Sequence, residues 1–138
     1  MLKRFNPAPI SQFSRITGRY NTLAPFFYMS GMQESLTGNN VTIANDCYNT
    51  KVYTTDSSIT LRLLDGRQDG QLKKISFIFQ GNIDSIVTVE CPTLIDIFSH
   101  IVFTNVGDQI LLMWTGGQWC VLETINIMDP TLLTPIIE

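Results

Sequence analysis

Residues 107–123 read GDQILLMWTGGQWCVLE, and this stretch decides the fold. Two apolar runs flank Gly116-Gly117. A two-residue glycine loop between extended runs predicts a β-hairpin, because both loop positions need a positive φ that glycine adopts at little cost. The loop fixes the register, which places these residues opposite each other: Thr115 and Gln118, Trp114 and Trp119, Met113 and Cys120, Leu112 and Val121, Leu111 and Leu122.

Both faces of this hairpin are apolar. One face carries Ile110, Leu112, Trp114, Trp119 and Val121, and the other carries Leu111, Met113, Cys120 and Leu122. A hairpin on the surface of a monomer should alternate apolar with polar residues. We therefore predict that the hairpin lies between two layers, or between a layer and another subunit.

The rest of the chain also predicts an all-β fold. From residue 39 onward apolar residues recur with a period of two, in short runs separated by turn residues. Seven or eight runs at spacings of about 8–12 residues predict a single domain, an antiparallel β-sandwich or jelly-roll-like body over residues 39–125. Residues 126–138 form a tail that Pro130 and Pro135 keep out of a central strand, so its apolar side chains should pack on the body or on a neighbour.

Residues 1–38 are predicted to form an irregular N-terminal arm, since prolines and glycines interrupt them. Residues 1–19 carry four basic side chains and no acid, a charge of +4, whereas residues 20–138 hold 5 basic and 12 acidic side chains, a charge of −7. A basic arm on an acidic body can dock on an acidic partner, or it can simply be solvated. We expect this arm to serve attachment rather than folding.

Composition limits the class of protein. The chain is 44% apolar and only 15% charged, whereas about a quarter charged residues is usual. Either partners cover part of the surface, or the domain is a β-rich one dominated by Thr, Ser and Asn. No signal peptide and no membrane-spanning run is visible. Cys47, Cys91 and Cys120 are odd in number and widely spaced, which favours free thiols from a cytosol-like compartment.

Residues that could support catalysis or metal binding do not form a convincing set. His100, with Asp96 and Cys91 nearby in sequence, is the only candidate for a Cys–His nucleophilic site, and a structural histidine is the favoured alternative. Asp65 and Asp69 could hold calcium, but the further acids that calcium needs are missing, so a solvated turn is favoured. The sequence predicts no enzyme, no catalytic residue, no metal and no cofactor.

Six stretches together resemble a known type of domain. They are residues 58–63 (SITLRL), 64–75 (LDGRQDGQLKKI), 86–89 (IVTV), 101–103 (IVF), 107–114 (GDQILLMW) and 119–122 (WCVL). This pattern resembles a β-domain of virion proteins from large double-stranded DNA viruses, including marseillevirus-like giant viruses, and of phage fibre proteins. The resemblance covers about half of the chain and implies a homotrimeric head or decoration on the particle surface without enzymatic activity.

The resulting hypothesis is a trimeric, fibre-head-like virion protein made in the host cytoplasm. Its partners would be copies of itself, capsid or other virion surface proteins, and a host-surface receptor or glycan, with no nucleic acid and no membrane span. The alternative is a small carbohydrate-binding module that uses exposed aromatic residues. The candidate oligomer interface comprises Leu111, Met113, Trp114, Trp119, Leu122, Leu132, Leu133 and Ile136.

Overall fold

A computed structural model describes residues 33–138, and within them the fold is all-β with no helix. The strands are β1 Gln33–Leu36, β2 Val41–Thr42, β3 Asn49–Thr54, β4 Ile59–Arg62, β5 Leu72–Gln80, β6 Val87–Glu90, β7 His100–Phe103, β8 Asp108–Thr115, β9 Gln118–Asn126 and β10 Ile136–Ile137. They form two five-stranded sheets packed as a sandwich. Sheet A has the order β1-β3-β5-β8-β9 and sheet B the order β10-β7-β6-β4-β2. The predicted all-β sandwich is confirmed.

The first six strands alternate between the two sheets. β1, β3 and β5 are neighbours in sheet A and run parallel, and β2, β4 and β6 are parallel neighbours in sheet B. The chain therefore winds through both sheets three times, as a coil with two strands per turn. The chain returns to a given sheet only after a full turn. Each returning strand therefore runs parallel to the previous strand of that sheet, beside which it lies.

The remaining strands close the sandwich with antiparallel pairs. β8 pairs with β5 and with β9 in sheet A, while β7 pairs with β6 and with β10 in sheet B. Gly116 and Gly117 have φ of 64° and 79°, as the predicted two-residue turn requires. Four of the five predicted hairpin pairs are present. The fifth is shifted, because a bulge at Leu111/Leu112 places Leu111 opposite Glu123.

The core lies between the sheets and is built from both the coil and the hairpin. Its fully buried side chains include Leu61, Ile75, Phe77, Ile110 and Trp119. Alternation along each strand explains the set, since every second side chain of β4, β5 and β8 points to the opposite sheet. Burial of these branched and aromatic residues supplies the main driving force for the fold, at about 25 cal/mol per Å² of apolar surface.

Three expectations need correction. The pairing is not antiparallel throughout, because the strands of the coil pair in parallel. β1 lies inside the segment predicted to be irregular, so the body already begins at residue 33; residues 1–32 of the predicted arm lie outside the described part. The period of two would place Phe79 on the inward side with Ile75 and Phe77, but Phe79 is exposed, because the register between β3 and β5 shifts after Val52 and Phe77.

The tail packs on its own body. Its last strand, β10, pairs with β7 at the edge of sheet B. The backbone N–H groups of Ser99 and His100 both donate to the carbonyl oxygen of Glu138, at 3.0 and 2.8 Å. The backbone of the tail is thus held on the body, whereas its apolar side chains Leu132, Leu133 and Ile136 remain exposed.

Candidate assembly surface

The two tryptophans of the hairpin form part of the core. Trp119 is fully buried, and its Nε1 donates to the carbonyl oxygen of Leu64 at 2.9 Å. Trp114 is half-buried against it, with ring centroids 5.3 Å apart and an edge-on angle of 67°. Gly66 lies so close that a Cβ there would come within 2.3 Å of the Trp114 ring. The tryptophan pair and the loop around Gly66 therefore hold one end of the sandwich together.

The outer face of the hairpin is only partly covered. Leu72, Met113 and Cys120 lie side by side across β5, β8 and β9, and all three are half-buried. The next row places Lys74 and Glu123 on either side of Leu111. Nothing among residues 33–138 forms a further layer over this face. The result is a narrow apolar strip flanked by charges of opposite sign.

Exposed apolar side chains recur from the second half of β9 to the end of the chain. Ile127 is 57% exposed, Met128 72% and Leu133 90%. Leu122, Leu132 and Ile136 are also exposed. Exposed apolar residues scattered one by one are ordinary, but a concentration of them in one segment is typical of an interaction surface. We call Leu122, Ile127, Met128, Leu132, Leu133 and Ile136 the tail patch.

A buried carboxylate holds the segment that carries the tail patch. Asp108 is fully buried, and its Oδ1 accepts hydrogen bonds from Asn126 Nδ2 at 2.8 Å and Thr134 Oγ1 at 2.5 Å. Its Oδ2 accepts from the backbone N–H groups of Thr104 and Asn105, both at 2.9 Å. One side chain thus connects the start of β8, the end of β9 and the tail. The patch is presented on an ordered segment, which lowers the entropy lost on binding.

The structure divides the predicted interface residues among three places. Leu111 and Met113 lie on the outer face of sheet A, whereas Trp114 and Trp119 are directed into the core. A subunit contact through Trp119 does not fit this arrangement, because a fully buried indole has no surface to offer. Leu122, Leu132, Leu133 and Ile136 belong to the tail patch. Ile127 and Met128, directly after the hairpin, are exposed as well and were not among the predicted residues.

A second buried charge lies in the coil. Lys73 is fully buried on β5, and its Nζ donates to the carbonyl oxygens of Ala44 and Cys47 at 2.7 and 3.0 Å and to Thr50 Oγ1 at 2.7 Å. The Glu34 carboxylate of β1 is 3.9 Å away. Burial lowers the pKa of Lys73, and the neighbouring Cys47 and Glu34 oppose that shift. We call Glu34, Cys47, Thr50 and Lys73 the lysine cluster.

Among the candidate catalytic and calcium residues, His100 and Asp65 have structural hydrogen-bond partners. His100 Nδ1 shares a hydrogen bond with Ser99 Oγ at 2.8 Å. Burial raises the pKa of the Cys91 thiol to about 11, which disfavours the thiolate that a nucleophile needs. Asp65 accepts a hydrogen bond from Thr93 Oγ1 at 2.9 Å. No group of three or more His, Cys, Asp or Glu side chains within residues 33–138 is arranged to hold a metal ion.

All three cysteines are free, as predicted from their number and spacing. Across residues 33–138 no helix has the length and apolar character needed to cross a bilayer. The chain matches no protein-family model and no curated protein. The resemblance to virion β-domains therefore stays a prediction that rests on the six sequence stretches alone.

Proposed function

We propose that this protein is a non-enzymatic structural protein of a virion, a homotrimeric fibre head or capsid decoration. The tail patch carries the proposal. It offers apolar side chains to a partner, while the anchored tail keeps them in a fixed arrangement. A second copy of the chain is the partner that this surface suits best, because closed symmetry lets one patch be covered in every subunit at once.

The hairpin supports a structural role in a second way. Carbohydrate-binding modules need aromatic faces that are open to solvent, because sugars stack on them. Trp119 is fully buried and Trp114 packs against it edge-on. The pair therefore stabilises the sandwich and gives a sugar no flat platform. The virion location and the number three rest on the sequence resemblance, and the assembly itself rests on the tail patch.

Light scattering of the purified protein tests the assembly. A trimer has about three times the 15.6 kDa of the chain. Leu133→Glu combined with Met128→Glu places two charges in the tail patch and should release monomers, because a buried unpaired charge is costly. Ile83→Glu is the matched control, since Ile83 is 85% exposed but lies in the turn between β5 and β6. A monomeric wild-type protein at micromolar concentration would contradict the proposal.

Mass spectrometry of purified particles tests the location separately. The chain should be present in particles, and removal of residues 1–19 should leave an oligomer that associates with them less well. A trimer that is absent from particles would contradict the virion role and leave the assembly standing. A truncated protein that does not fold would place the basic arm in the folded core instead.

A further inference from the structure

The lysine cluster brings an amine and a thiol together inside the fold. Lys73 Nζ lies 3.4 Å from Cys47 Sγ. Lys73 is fully buried, and Cys47 retains 5% exposure in the turn that precedes β3. Neither group is needed by the proposed assembly role. Of the three cysteines, Cys47 is the one whose sulfur lies within hydrogen-bonding distance of a lysine amine in the described residues.

The surroundings prepare both groups for reaction. Glu34 Oε2 accepts a hydrogen bond from the Cys47 thiol at 3.6 Å. The same oxygen accepts from Thr50 Oγ1 at 2.7 Å and from the backbone N–H of Ala44 at 2.8 Å, so the carboxylate is held in place. Burial lowers the pKa of Lys73, which increases the fraction of the neutral, nucleophilic amine relative to an exposed lysine.

We propose that Lys73 and Cys47 form a reversible sulfenamide cross-link, a direct bond between Nζ and Sγ, when the protein meets a peroxide. Sulfenic acids condense with neighbouring nitrogen groups in this way. The lysine amine takes that role here because its Nζ lies 3.4 Å from the sulfur and is shielded from competing water.

The reaction balances with one molecule of hydrogen peroxide. In the first step the Cys47 sulfur attacks one peroxide oxygen, the O–O bond breaks, and Cys–S–OH and one water form. In the second step the neutral Lys73 amine attacks this sulfur and the S–O bond breaks. The hydroxide leaves as water with a proton from the amine, and the product is Cys–S–NH–Lys. Sulfur is oxidised and peroxide is reduced; two thiols of an added reductant restore the amine and the thiol and become a disulfide.

The cross-link would change the stability of the coil. It would join β5 covalently to the turn that connects β2 with β3, which Lys73 Nζ contacts through hydrogen bonds to the carbonyl oxygens of Ala44 and Cys47. The cross-link closes a loop from residue 47 to residue 73, which restricts the conformations of the unfolded chain. We therefore expect the oxidised protein to melt several degrees higher than the reduced protein, and the gain to vanish on reduction.

Peptide mapping of the full chain after treatment with hydrogen peroxide tests the proposal. The expected product is a linked pair of peptides containing Cys47 and Lys73, lighter by two hydrogen atoms than the separate peptides and separated by dithiothreitol. After denaturation, an amine-reactive label should reach Lys73 in reduced but not in oxidised protein. Cys47→Ser should abolish the link, while Cys120→Ser should retain it, because Cys120 lies on the outer face of sheet A.

Two results would overturn the proposal. One is a Cys47 that stops at sulfenic or sulfinic acid while Lys73 stays open to the amine label. The other is a Cys47 that remains reduced under conditions that oxidise Cys120. Both are read from the wild-type protein, so the outcome does not depend on whether Cys47→Ser folds. Neither result bears on the trimer.

Discussion

The coil of β1–β6 and the closing strands β7–β10 use different connections within the same sandwich. Every connection in the coil changes sheet, and each strand pairs in parallel with one from the preceding turn. In the closing part, β8 and β9 are joined by two glycines and stay together in sheet A. Local turn chemistry therefore determines the hairpin, whereas the coil depends on contacts between residues far apart in sequence.

Each region also contains one fully buried charged residue, and the two residues are held differently. Asp108 receives four hydrogen bonds, all from neutral donors. Lys73 donates to neutral oxygens and has the opposite charge of Glu34 at 3.9 Å. Asp108 thus fixes the end of the closing region, and Lys73 fixes the edge strand of the coil. We therefore predict that loss of the charge at Asp108 and at Lys73 lowers the free energy of unfolding by different amounts.

Asp108→Asn should have the largest effect. The amide keeps the shape of the side chain but turns an NH₂ group toward the backbone N–H groups of Thr104 and Asn105, or toward its two side-chain donors. Either the two backbone N–H groups or the Asn126 amide then loses its acceptor, and the charge that all four donors share is lost as well. We therefore expect a loss of about 3 kcal/mol in the free energy of unfolding. Urea unfolding measures it, with the exposed Asp84→Asn as control. A loss below about 1 kcal/mol would show that water replaces the carboxylate.

Lys73→Met should cost less, about 1–2 kcal/mol in the same measurement. The ammonium leaves two backbone carbonyl oxygens and a hydroxyl, and carbonyl oxygens tolerate a missing partner better than N–H groups do. The Glu34 carboxylate keeps its hydrogen bonds from Thr50 Oγ1 and the Ala44 N–H, and its side chain is 20% exposed to water. Methionine fills most of the space. A loss equal to that of Asp108→Asn would remove the proposed asymmetry between the two regions.

Gly117→Val tests the local control of the hairpin. Nothing lies within 4 Å of a Cβ added at this position, so only the φ of 79° opposes the change. A β-branched residue in this conformation should lower the free energy of unfolding by about 1–2 kcal/mol. Gly117→Asn is the control, because asparagine adopts positive φ more readily. Equal stability of the two variants would mean that the turn relaxes and does not fix the register.

The hairpin could be predicted from sequence because its register starts from its own turn. Four cross-strand pairs follow from Gly116-Gly117 alone. The bulge at Leu111/Leu112 could not be predicted, since it depends on how β8 lies against β5 as well as β9. The parallel coil was missed for a similar reason. Alternation along β3 and β5 is the same whether they pair in parallel or antiparallel, so the pattern carries no direction.

The tail patch and the lysine cluster also differ in how far they could be predicted from sequence. The tail pattern predicted half of the tail patch, Leu132, Leu133 and Ile136, because an apolar segment is seldom left in water, and the hairpin pattern added Leu122. The lysine cluster was harder to foresee. Alternation places Lys73 on the inward side with Ile75 and Phe77, but an inward lysine is acceptable only if partners are present. Those partners, Glu34 and Thr50, come from other turns of the coil and could not be assigned without its topology.

The smallest expected effect concerns pH and sharpens the contrast between the two charges. Burial lowers the pKa of Lys73 in the folded protein below its ordinary value of 10.5. Between the folded and unfolded pKa values the unfolded chain binds more protons at this residue, so its contribution to stability rises with pH. At pH values below both, the residue is charged in both states and the desolvation penalty is constant.

Wild-type stability, measured by urea unfolding at a series of pH values up to 10, should therefore rise relative to Lys73→Met. Asp108→Asn should keep the wild-type alkaline slope, since Lys73 is unchanged in that variant. Parallel profiles of stability against pH for wild type and Lys73→Met would mean that the lysine cluster stabilises the ammonium as well as water does. The pKa of Lys73 would then not be lowered. The buried amine would then not have the lowered pKa that favours its reaction with Cys47.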